Sequence, residues 1–453
     1  MQFRVKSILL LGVVVVILSS CMNANQRTES NEQTLWTLHD QVGMTYDVFD
    51  EEIRRLLLED FDYFVSRILT YSPLIDVIER RQGIRLEERF ANTRRNIEVL
   101  PLIVEGVLET TLEERTHIMI DNFFYIHLES LFRPIEIGHM HPINRRAMIW
   151  LYLKPGDIFG SSRFQEQSVR IFYNLDDEQL MEEELLFLQT GLMDNVLTKV
   201  VVENEVAYIR IGNFAYYHED NLLYDMHLLN LFFEKIEDYD HLIIDLRENR
   251  GGFDLFSRMI VAPLIAEPIE YRFHKFLSSN FYDKEAVYEA VNVGLEVVGI
   301  SPQAVEIFES SEFITNRQMS NINYSDANQL GYAAEIFFEI LPSLESREFK
   351  GEIWVLVDEW TGSAAEIAVI ISQSSGFATV VGTNTAGVMP SASEIIILPN
   401  TGINVRFDFG YFTDDLGNSW EEFGIAPDYI NRPGLNAFET VLELIYEKKL
   451  LRD

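Results

Sequence analysis

The stretch IWVLVDEWTGSAAEI, residues 353–367, sets a run of apolar residues directly before a group of small ones. The run IWVLV is typical of a buried β-strand, and a helix is predicted to begin after Ser363. At such a junction unpaired backbone N–H groups point outward, and the helix dipole favours negative charge. Gly362 and Ala364 leave the Ser363 hydroxyl sterically open. Serine is also a common helix cap worth about 1 kcal/mol, so this stretch alone favours the structural role.

Strand and helix alternate on both sides of this stretch. Helices are predicted near residues 221–236 and from Asp254 onward. Apolar strands separated by helices indicate an α/β fold with a partly parallel sheet. The predicted strands are KVVVENEVAYIRIG (199–212, with a turn at Asn204), HLIIDL (241–246), ATVVG (378–382), SEIIIL (393–398) and NVRFDFGYF (404–412).

The remaining segments have different patterns of apolar and polar residues. Residues 35–135 have apolar positions at a 3.6-residue period, as in EEIRRLLLEDFDYFVSRIL (51–69), and predict a helical N-terminal domain. Residues 136–198 are expected to connect it to the core through the strands MIWLYL (148–153) and SVRIFYNL (168–175), the second followed by an acidic helix. We expect residues 266–349 to be a mostly helical insertion and residues 434–453 to form a C-terminal helix.

Length and charge limit the possible functions. The chain has 453 residues, 47% of them hydrophobic, which is enough for a large core and more than one average domain. Its net charge of -36 repels phosphate backbones, so nucleic acid is excluded as a partner.

The N-terminus, MQFRVKSILLLGVVVVILSSC (1–21), carries Arg4 and Lys6 before the apolar run Ile8–Leu18 and ends at the chain's single cysteine. It resembles a bacterial lipoprotein signal. The resemblance implies that residues 1–20 are removed and that Cys21 carries the lipid. An ordinary signal peptide or a short anchor is the alternative, but the run is shorter than the ~20 residues that a span requires. The polar residues 21–34 would then tether the protein to the membrane.

A second motif, LIIDLRENRGG (242–252), ends a buried strand in two glycines. Glycine has no Cβ, so this backbone can turn sharply and approach a ligand closely. If Ser363 attacks a carbonyl, the N–H of Ala364 is the natural first donor to the oxyanion, and Gly251 or Gly252 could supply a second. A plain strand-to-helix turn is the alternative.

Together the motifs resemble a known family. IIDLRENRGG (243–252), VLVDEWTGSAAEI (355–367), VVGTNTAG (380–387) and EEFGIAPD (421–428), in this order, resemble the carboxyl-terminal-processing (tail-specific) peptidases and the related tricorn core peptidases. The resemblance implies a ClpP/crotonase-like α/β core, here residues 199–433, with Ser363 as the nucleophile.

The general base departs from the processing peptidases. The lysine of their Ser-Lys dyad falls on Val388, and no lysine lies between Ser363 and Lys448. The tricorn-like branch instead takes its base from an upstream Gly-His pair, which IEIGHMHP (135–142) resembles at His139, with His141 as an alternative. A neutral imidazole with a pKa of about 6.5 suits this task.

The same branch places an acidic residue at Glu421, which would orient the base or face the substrate. Its neighbour Glu422 is the alternative. Two histidines at i and i+2, without a carboxylate or cysteine motif beside them, do not predict a metal site, and no phosphate-binding loop occurs. We therefore expect neither a metal nor a cofactor.

The sequence thus predicts a serine endopeptidase of the bacterial cell envelope, lipid-anchored outside the cytoplasm and acting on a protein or peptide. The alternative is an inactive relative that binds a peptide or an apolar ligand in the same cleft, which the valine at 388 supports. No PDZ module is recognisable in residues 136–198.

Overall fold

The computed structural model describes most of the chain beyond the N-terminus. The lipoprotein-like signal, Cys21, the tether and the acidic helix predicted after Leu175 lie outside the described residues. The described residues are 46–99, 116, 119–153, 167–177, 195–215, 219–252, 254–281, 283–285, 287, 288, 291, 303–344, 346–389 and 393–452.

The helices are concentrated at the N-terminus and between the core strands. A π-helix spans Ile120–Tyr125 and a 3₁₀-helix spans Ala262–Leu264. Among the described residues, no helix is long and apolar enough to cross a membrane. The α-helices are α1 Tyr46–Tyr71, α2 Ile75–Gln82, α3 Leu86–Glu98, α4 Ile126–Phe132, α5 Arg145–Leu153, α6 Gln167–Tyr173, α7 Glu219–Lys235, α8 Asp254–Val261, α9 Ser310–Arg317, α10 Tyr324–Ala327, α11 Ala364–Ser375, α12 Trp420–Phe423 and α13 Ala437–Arg452.

The strands form three sheets, with the orders β13-β9-β8-β4-β3-β2, β12-β5-β7-β6 and β1-β11-β10. This mixed architecture, with helices at the N-terminus, confirms the predicted α/β fold. The strands are β1 His141–Pro142, β2 Val196–Val202, β3 Val206–Ile211, β4 His241–Asp245, β5 Ile269–Ser278, β6 Ala304–Glu309, β7 Leu330–Ile340, β8 Glu352–Val357, β9 Thr379–Gly382, β10 Ser393–Ile397, β11 Asn404–Asp408, β12 Tyr411–Thr413 and β13 Tyr429–Ile430.

The six-stranded sheet positions the candidate site. Strands β3, β4, β8, β9 and β13 are parallel, and β2 is an antiparallel edge. Because successive side chains alternate between faces, Ile244 and Val355 pack into the main core that also contains α11. Ile243 and Trp354 pack instead into a separate core with α13. Burial on both faces explains why the sequences of these strands are continuous apolar runs.

The prediction of a mostly helical segment at residues 266–349 is wrong. Strands β5, β6 and β7 of the antiparallel sheet run through it, and among its described residues α9 and α10 lie between β6 and β7. Apolar and polar residues do alternate from Ile269 to His274, but the buried charges of Lys275 and Glu335 obscure the pattern. Pairing between segments distant in the chain decides their structure, and local sequence does not reveal that pairing.

Two shorter strand predictions are also wrong. MIWLYL lies in α5 and SVRIFYNL lies mostly in α6. Met148 and Val169 are fully buried against Ile395 of β10. A short apolar run fits a strand or a buried helix equally well, and packing makes the choice here.

The predicted strand at 404–412 is divided between two sheets. Strand β11 pairs with β1 and β10, whereas β12 pairs with β5. Gly410 lies at the break, where a Cβ atom would be 2.5 Å from Cε of Lys275. The lysine side chain therefore passes close over the Gly410 backbone, and a larger residue there would displace it.

The N-terminal helices are joined to the core by polar contacts as well as apolar ones. The Asp60 carboxylate on α1 is fully buried and accepts from the backbone N–H groups of Asn400 and Thr401, both at 2.8 Å. The Thr401 hydroxyl donates to it at 2.8 Å as well. These bonds satisfy the turn between β10 and β11, so α1 holds the hairpin that includes β11.

We expect Asp60→Ala to lower the free energy of unfolding by about 2–5 kcal/mol, because it orphans buried donors that each cost about 1–3 kcal/mol. The matched control is Asp62→Ala on the same helix, since Asp62 is exposed and pairs with Arg94. A surface pair of this kind contributes about 0–1 kcal/mol. Urea denaturation of both variants measures the difference, and equal losses would contradict the assignment.

Candidate active site

Ser363 occupies a strained turn between β8 and α11. Its backbone has φ 55° and ψ -127°, whereas a capping serine has extended dihedrals. Positive φ in a non-glycine residue costs about 1–3 kcal/mol and persists only where the surroundings impose it. The Ser363 N–H donates to the carbonyl oxygen of Val388 at 2.7 Å. A capping box also joins Ser363 to Glu366, so the turn caps α11 while its positive φ departs from that of an ordinary cap.

The buried carboxylate of Glu366 holds this turn. Oε2 accepts from the N–H groups of Ser363 at 2.9 Å and Val388 at 3.1 Å. Oε1 accepts from the Gly387 N–H at 2.9 Å and from Thr385 Oγ1 at 2.5 Å. Burial raises the pKa of Glu366 to about 7, against the lowering effect of these bonds. One side chain thus fixes the serine turn to the segment 385–388.

The glycine loop lies against the serine turn. A Cβ atom on Gly251 would be 2.6 Å from the Gly362 carbonyl oxygen and 2.7 Å from the Ala364 nitrogen, so only glycine fits. The Gly251 N–H donates to Asn249 Oδ1 at 2.9 Å. Within the described part of the chain, the N–H groups of Gly252 and Ala364 have no acceptor. Gly252 is therefore the better of the two predicted glycine donors.

The predicted base His139 has a carboxylate partner. Asp408, on β11, accepts from the His139 backbone N–H at 2.6 Å, and Oδ2 lies 3.2 Å from Nδ1. The side chain of His139 is 15% exposed. A Cβ atom on Gly138 would be 2.6 Å from Asp408 Oδ2. The glycine of the Gly-His pair therefore admits the carboxylate that orients the imidazole.

Both histidines titrate below their usual range. Burial lowers the pKa of His139 and so does the charge of Arg406, while Asp408 opposes the shift. Partial burial and Arg406 also lower the pKa of His141, whose Nδ1 is 3.2 Å from the Pro142 carbonyl oxygen. With Nδ1–H donating to Asp408, His139 would present an unprotonated Nε2 at neutral pH.

Glu421 has neighbours other than the histidines. It is buried and accepts from the Phe412 N–H at 3.0 Å, and among its described contacts no histidine occurs. Burial raises its pKa well above the usual value, and the charges of Asp408 and Glu366 raise it further. The partner of His139 and the anchor of Ser363 therefore border the same cluster of carboxyl groups. Glu422 instead pairs with Arg80 at 2.7 Å.

Sequence reasoning missed Asp408 and Lys275. Lys275 on β5 is 2% exposed and its Nζ lies 4.4 Å from the centre of the Phe409 ring. Burial lowers the pKa of Lys275 to about 7, while Asp408 and Glu421 oppose the shift. The sequence signal that could have identified Lys275 is an ionisable residue within a strand whose other residues are typical of a buried one.

The absence of the family lysine has a structural counterpart. Val388 contacts the serine turn through its backbone, and its Cβ lies 3.9 Å from where a Cβ on Gly362 would be. A lysine at this position would lie beside Ser363. Among the described residues, no group of histidine, cysteine and carboxylate side chains could hold a metal ion.

Comparison with known proteins places this arrangement in a family. A profile of peptidase family S41 matches residues 205–430, about half of the chain. The fold is similar to a lipoprotein from Streptococcus agalactiae (14% identity, 88% of this chain and 96% of that one, TM-score 0.43). It is also similar to mature CPAF complexed with lactacystin (13% identity, 88% of this chain and 98% of that one, TM-score 0.45). A third similar structure is the photosystem II D1 C-terminal processing protease (14% identity, 57% of this chain and 54% of that one, TM-score 0.33).

The matched residues include the glycine loop, the serine turn, the segment at 385–388 and Glu421. The chain therefore belongs to peptidase family S41, in a form without the lysine of the Ser-Lys dyad.

Proposed function

We propose that this protein is a serine endopeptidase anchored by a lipid on Cys21 outside the cytoplasm of a bacterium. The observation that carries the catalytic part is the strained turn at Ser363, fixed by Glu366 beside the unbonded N–H of Ala364. The anchor rests on the signal-like sequence before Cys21. The substrate is a protein or peptide, and the mechanism uses no cofactor.

The reaction begins when Ser363 Oγ attacks the substrate carbonyl and His139 Nε2 accepts its proton. The N–H groups of Ala364 and Gly252 donate to the oxyanion, each such donor contributing about 10²- to 10³-fold to the rate. The imidazolium then protonates the leaving amine, and an acyl-enzyme remains. Water, deprotonated by His139, releases the acid and regenerates the serine. Asp408 holds the tautomer and stabilises the imidazolium, while Glu421 supports the neighbouring strand through Phe412.

The alternative function is ligand binding without cleavage. Val388 in place of the lysine is the observation that favours it. A binder would keep the cleft but would not need a hydroxyl that reacts as a nucleophile.

A fluorophosphonate probe tests the nucleophile directly. We expect the full-length protein to form a covalent adduct on Ser363, detected by intact mass and peptide mapping, and Ser363→Ala to form none. Ser372→Ala on the same helix is the control, because that hydroxyl is buried and donates to the Ala368 carbonyl oxygen. If the wild-type protein remains unlabelled while folded, the binding function replaces the peptidase.

The histidines are distinguished by their pH profiles. Because only the neutral imidazole accepts a proton and the pKa of His139 is lowered, kcat/KM should fall only when the pH drops below the ordinary value of about 6.5. We expect His139→Ala to lose about 10³-fold or more of the rate and Asp408→Asn about 10²- to 10⁴-fold. Asp408→Asn should also move the acid midpoint lower, since the carboxylate raises the pKa of His139.

His141→Ala provides the comparison for these variants. Its Nδ1 lies near the Pro142 carbonyl oxygen rather than a carboxylate, so this ring should be dispensable, leaving both the rate and the acid midpoint close to those of the wild type. The assignment of His139 fails if His141→Ala abolishes the rate while His139→Ala keeps it.

Helix α2 supports the site through Arg81. Nη1 donates to the Glu421 carbonyl oxygen at 2.5 Å and Nη2 to the Ala386 carbonyl oxygen at 2.7 Å. Ala386 belongs to the segment that borders the serine turn, and Glu421 belongs to the segment that packs against it at Gly387. Arg81 is thus a positioning residue that fixes their separation.

We expect Arg81→Ala to lower kcat about 10- to 100-fold with little change in KM, because small displacements of reacting groups have effects of this size. Arg85→Ala on the adjoining turn is the control, since Arg85 is exposed and pairs with the exposed carboxylates of Glu79 and Glu88. Steady-state kinetics and melting temperatures are measured together. A loss of kcat that merely follows a loss of melting temperature would reduce Arg81 to a structural role.

A further inference from the structure

Arg406 lies in the small sheet beside the segment that carries the predicted base. It is directly opposite His141 in β1 and opposite Ile395 in β10. Directly opposed residues share a face, as do residues two apart in a strand. Arg406 therefore shares its face with Asp408, which holds His139.

The guanidinium of Arg406 has no close partner. Within the described part of the chain it makes no hydrogen bond, ion pair or aromatic contact, and its Nε is buried without an acceptor. Arg258 also has a buried Nε without an acceptor, but its guanidinium lies over the rings of Tyr271 and Phe338. An arginine carries five N–H donors, and burying them without acceptors is unfavourable.

The charge of Arg406 acts on two separate segments. It lowers the pKa of His139 and His141, and it also lowers the pKa of Asp254, against the raising effect of burial. Asp254 begins α8, which follows the glycine loop closely in sequence. The guanidinium is thus close enough to act electrostatically on the histidine loop and on the first turn of α8. Asp254 and Asp408 attract it without forming ion pairs with it.

We propose that Arg406 binds a carboxylate of the substrate peptide and makes an anionic group a specificity requirement of the cleft. A planar guanidinium accepts a carboxylate in a two-bond arrangement, and such a partner would satisfy the unbonded donors. The carboxylate is either the peptide's C-terminus or an acidic side chain. This inference rests on the proposed function for the identity of the ligand as a peptide.

The protein's negative net charge makes a local cation important for binding an acidic peptide. A net charge of -36 repels acidic peptides at long range, so their capture requires a local cation. Arg406 supplies one beside the predicted catalytic groups. A neutral peptide would leave it unpaired.

Binding is measured in the Ser363→Ala background, where no cleavage occurs. The probes are fluorescein-labelled peptides of alanine and leucine that end in a free carboxylate or an amide and contain one internal glutamate or glutamine. Fluorescence anisotropy gives their Kd values. We expect one carboxylate to tighten binding about ten-fold or more, in line with hydrogen bonds between charged groups. Comparing the free carboxylate with the amide, and glutamate with glutamine, shows whether the C-terminus or the acidic side chain is the carboxylate that binds.

Adding Arg406→Gln should remove that preference, so that peptides with and without the carboxylate bind with similar Kd values. Arg406→Lys should retain only part of it, and covers the case in which Arg406→Gln does not fold. Arg94→Gln on α3 is the charge-matched control and should keep the full preference. The proposal is overturned if the preference survives in Arg406→Gln or is absent from Ser363→Ala itself.

These outcomes are independent of the peptidase test. If fluorophosphonate fails to label the protein, the proposed catalysis is wrong, but the peptide Kd values can still be compared. Loss of binding for every peptide in Arg406→Gln and Arg406→Lys alike would assign the residue to the shape of the cleft and overturn the carboxylate role.

Discussion

The buried carboxylate of Glu366 is the constraint on which the candidate site depends. It accepts from two residues on each oxygen and so joins the first turn of α11 to the segment 385–388. Without it, the positive φ of Ser363 would relax toward an ordinary cap, since such strain persists only when imposed. The same side chain that ends the SAAE motif thus determines how the hydroxyl is presented and leaves the Ala364 N–H unbonded.

The serine and the glycine loop could be predicted because each is a local feature, a buried strand followed within a few residues by small ones. Asp408 could not, because it lies 269 residues from His139 and reaches it only through the pairing of β1 with β11. The sheet formed by β5, β6 and β7 escaped prediction for a related reason. Its strands bury Lys275 and Glu335, and charges inside an apolar run conceal the period that identifies a strand. The domain boundaries drawn from the sequence stay a prediction.

The N-terminal helices are part of the framework of the site rather than an appendage. Arg80 pairs with both Asp326 and Glu422, and Arg81 donates to the carbonyl oxygens of Ala386 and Glu421. Asp60 holds the turn between β10 and β11, and β11 carries Asp408. Because these contacts are polar and directional, they fix positions more closely than apolar packing alone would. Displacement of α2 would therefore move two segments that border Ser363.

The positions of the cations separate this site from a Ser-Lys dyad. In the processing peptidases the lysine beside the serine is both charge and base, whereas here Val388 fills that position. The interior still holds the carboxyl groups of Asp408, Glu421 and Glu366, which need compensation. Lys275 provides part of it from β5, where Phe409 and Phe412 flank its ammonium and its pKa falls to about 7. The described contacts of Lys275 are with Asp408, Glu421 and the two phenylalanine rings, and none of them joins it to Ser363. The proposed mechanism therefore assigns the base to the imidazole of His139, which Asp408 orients.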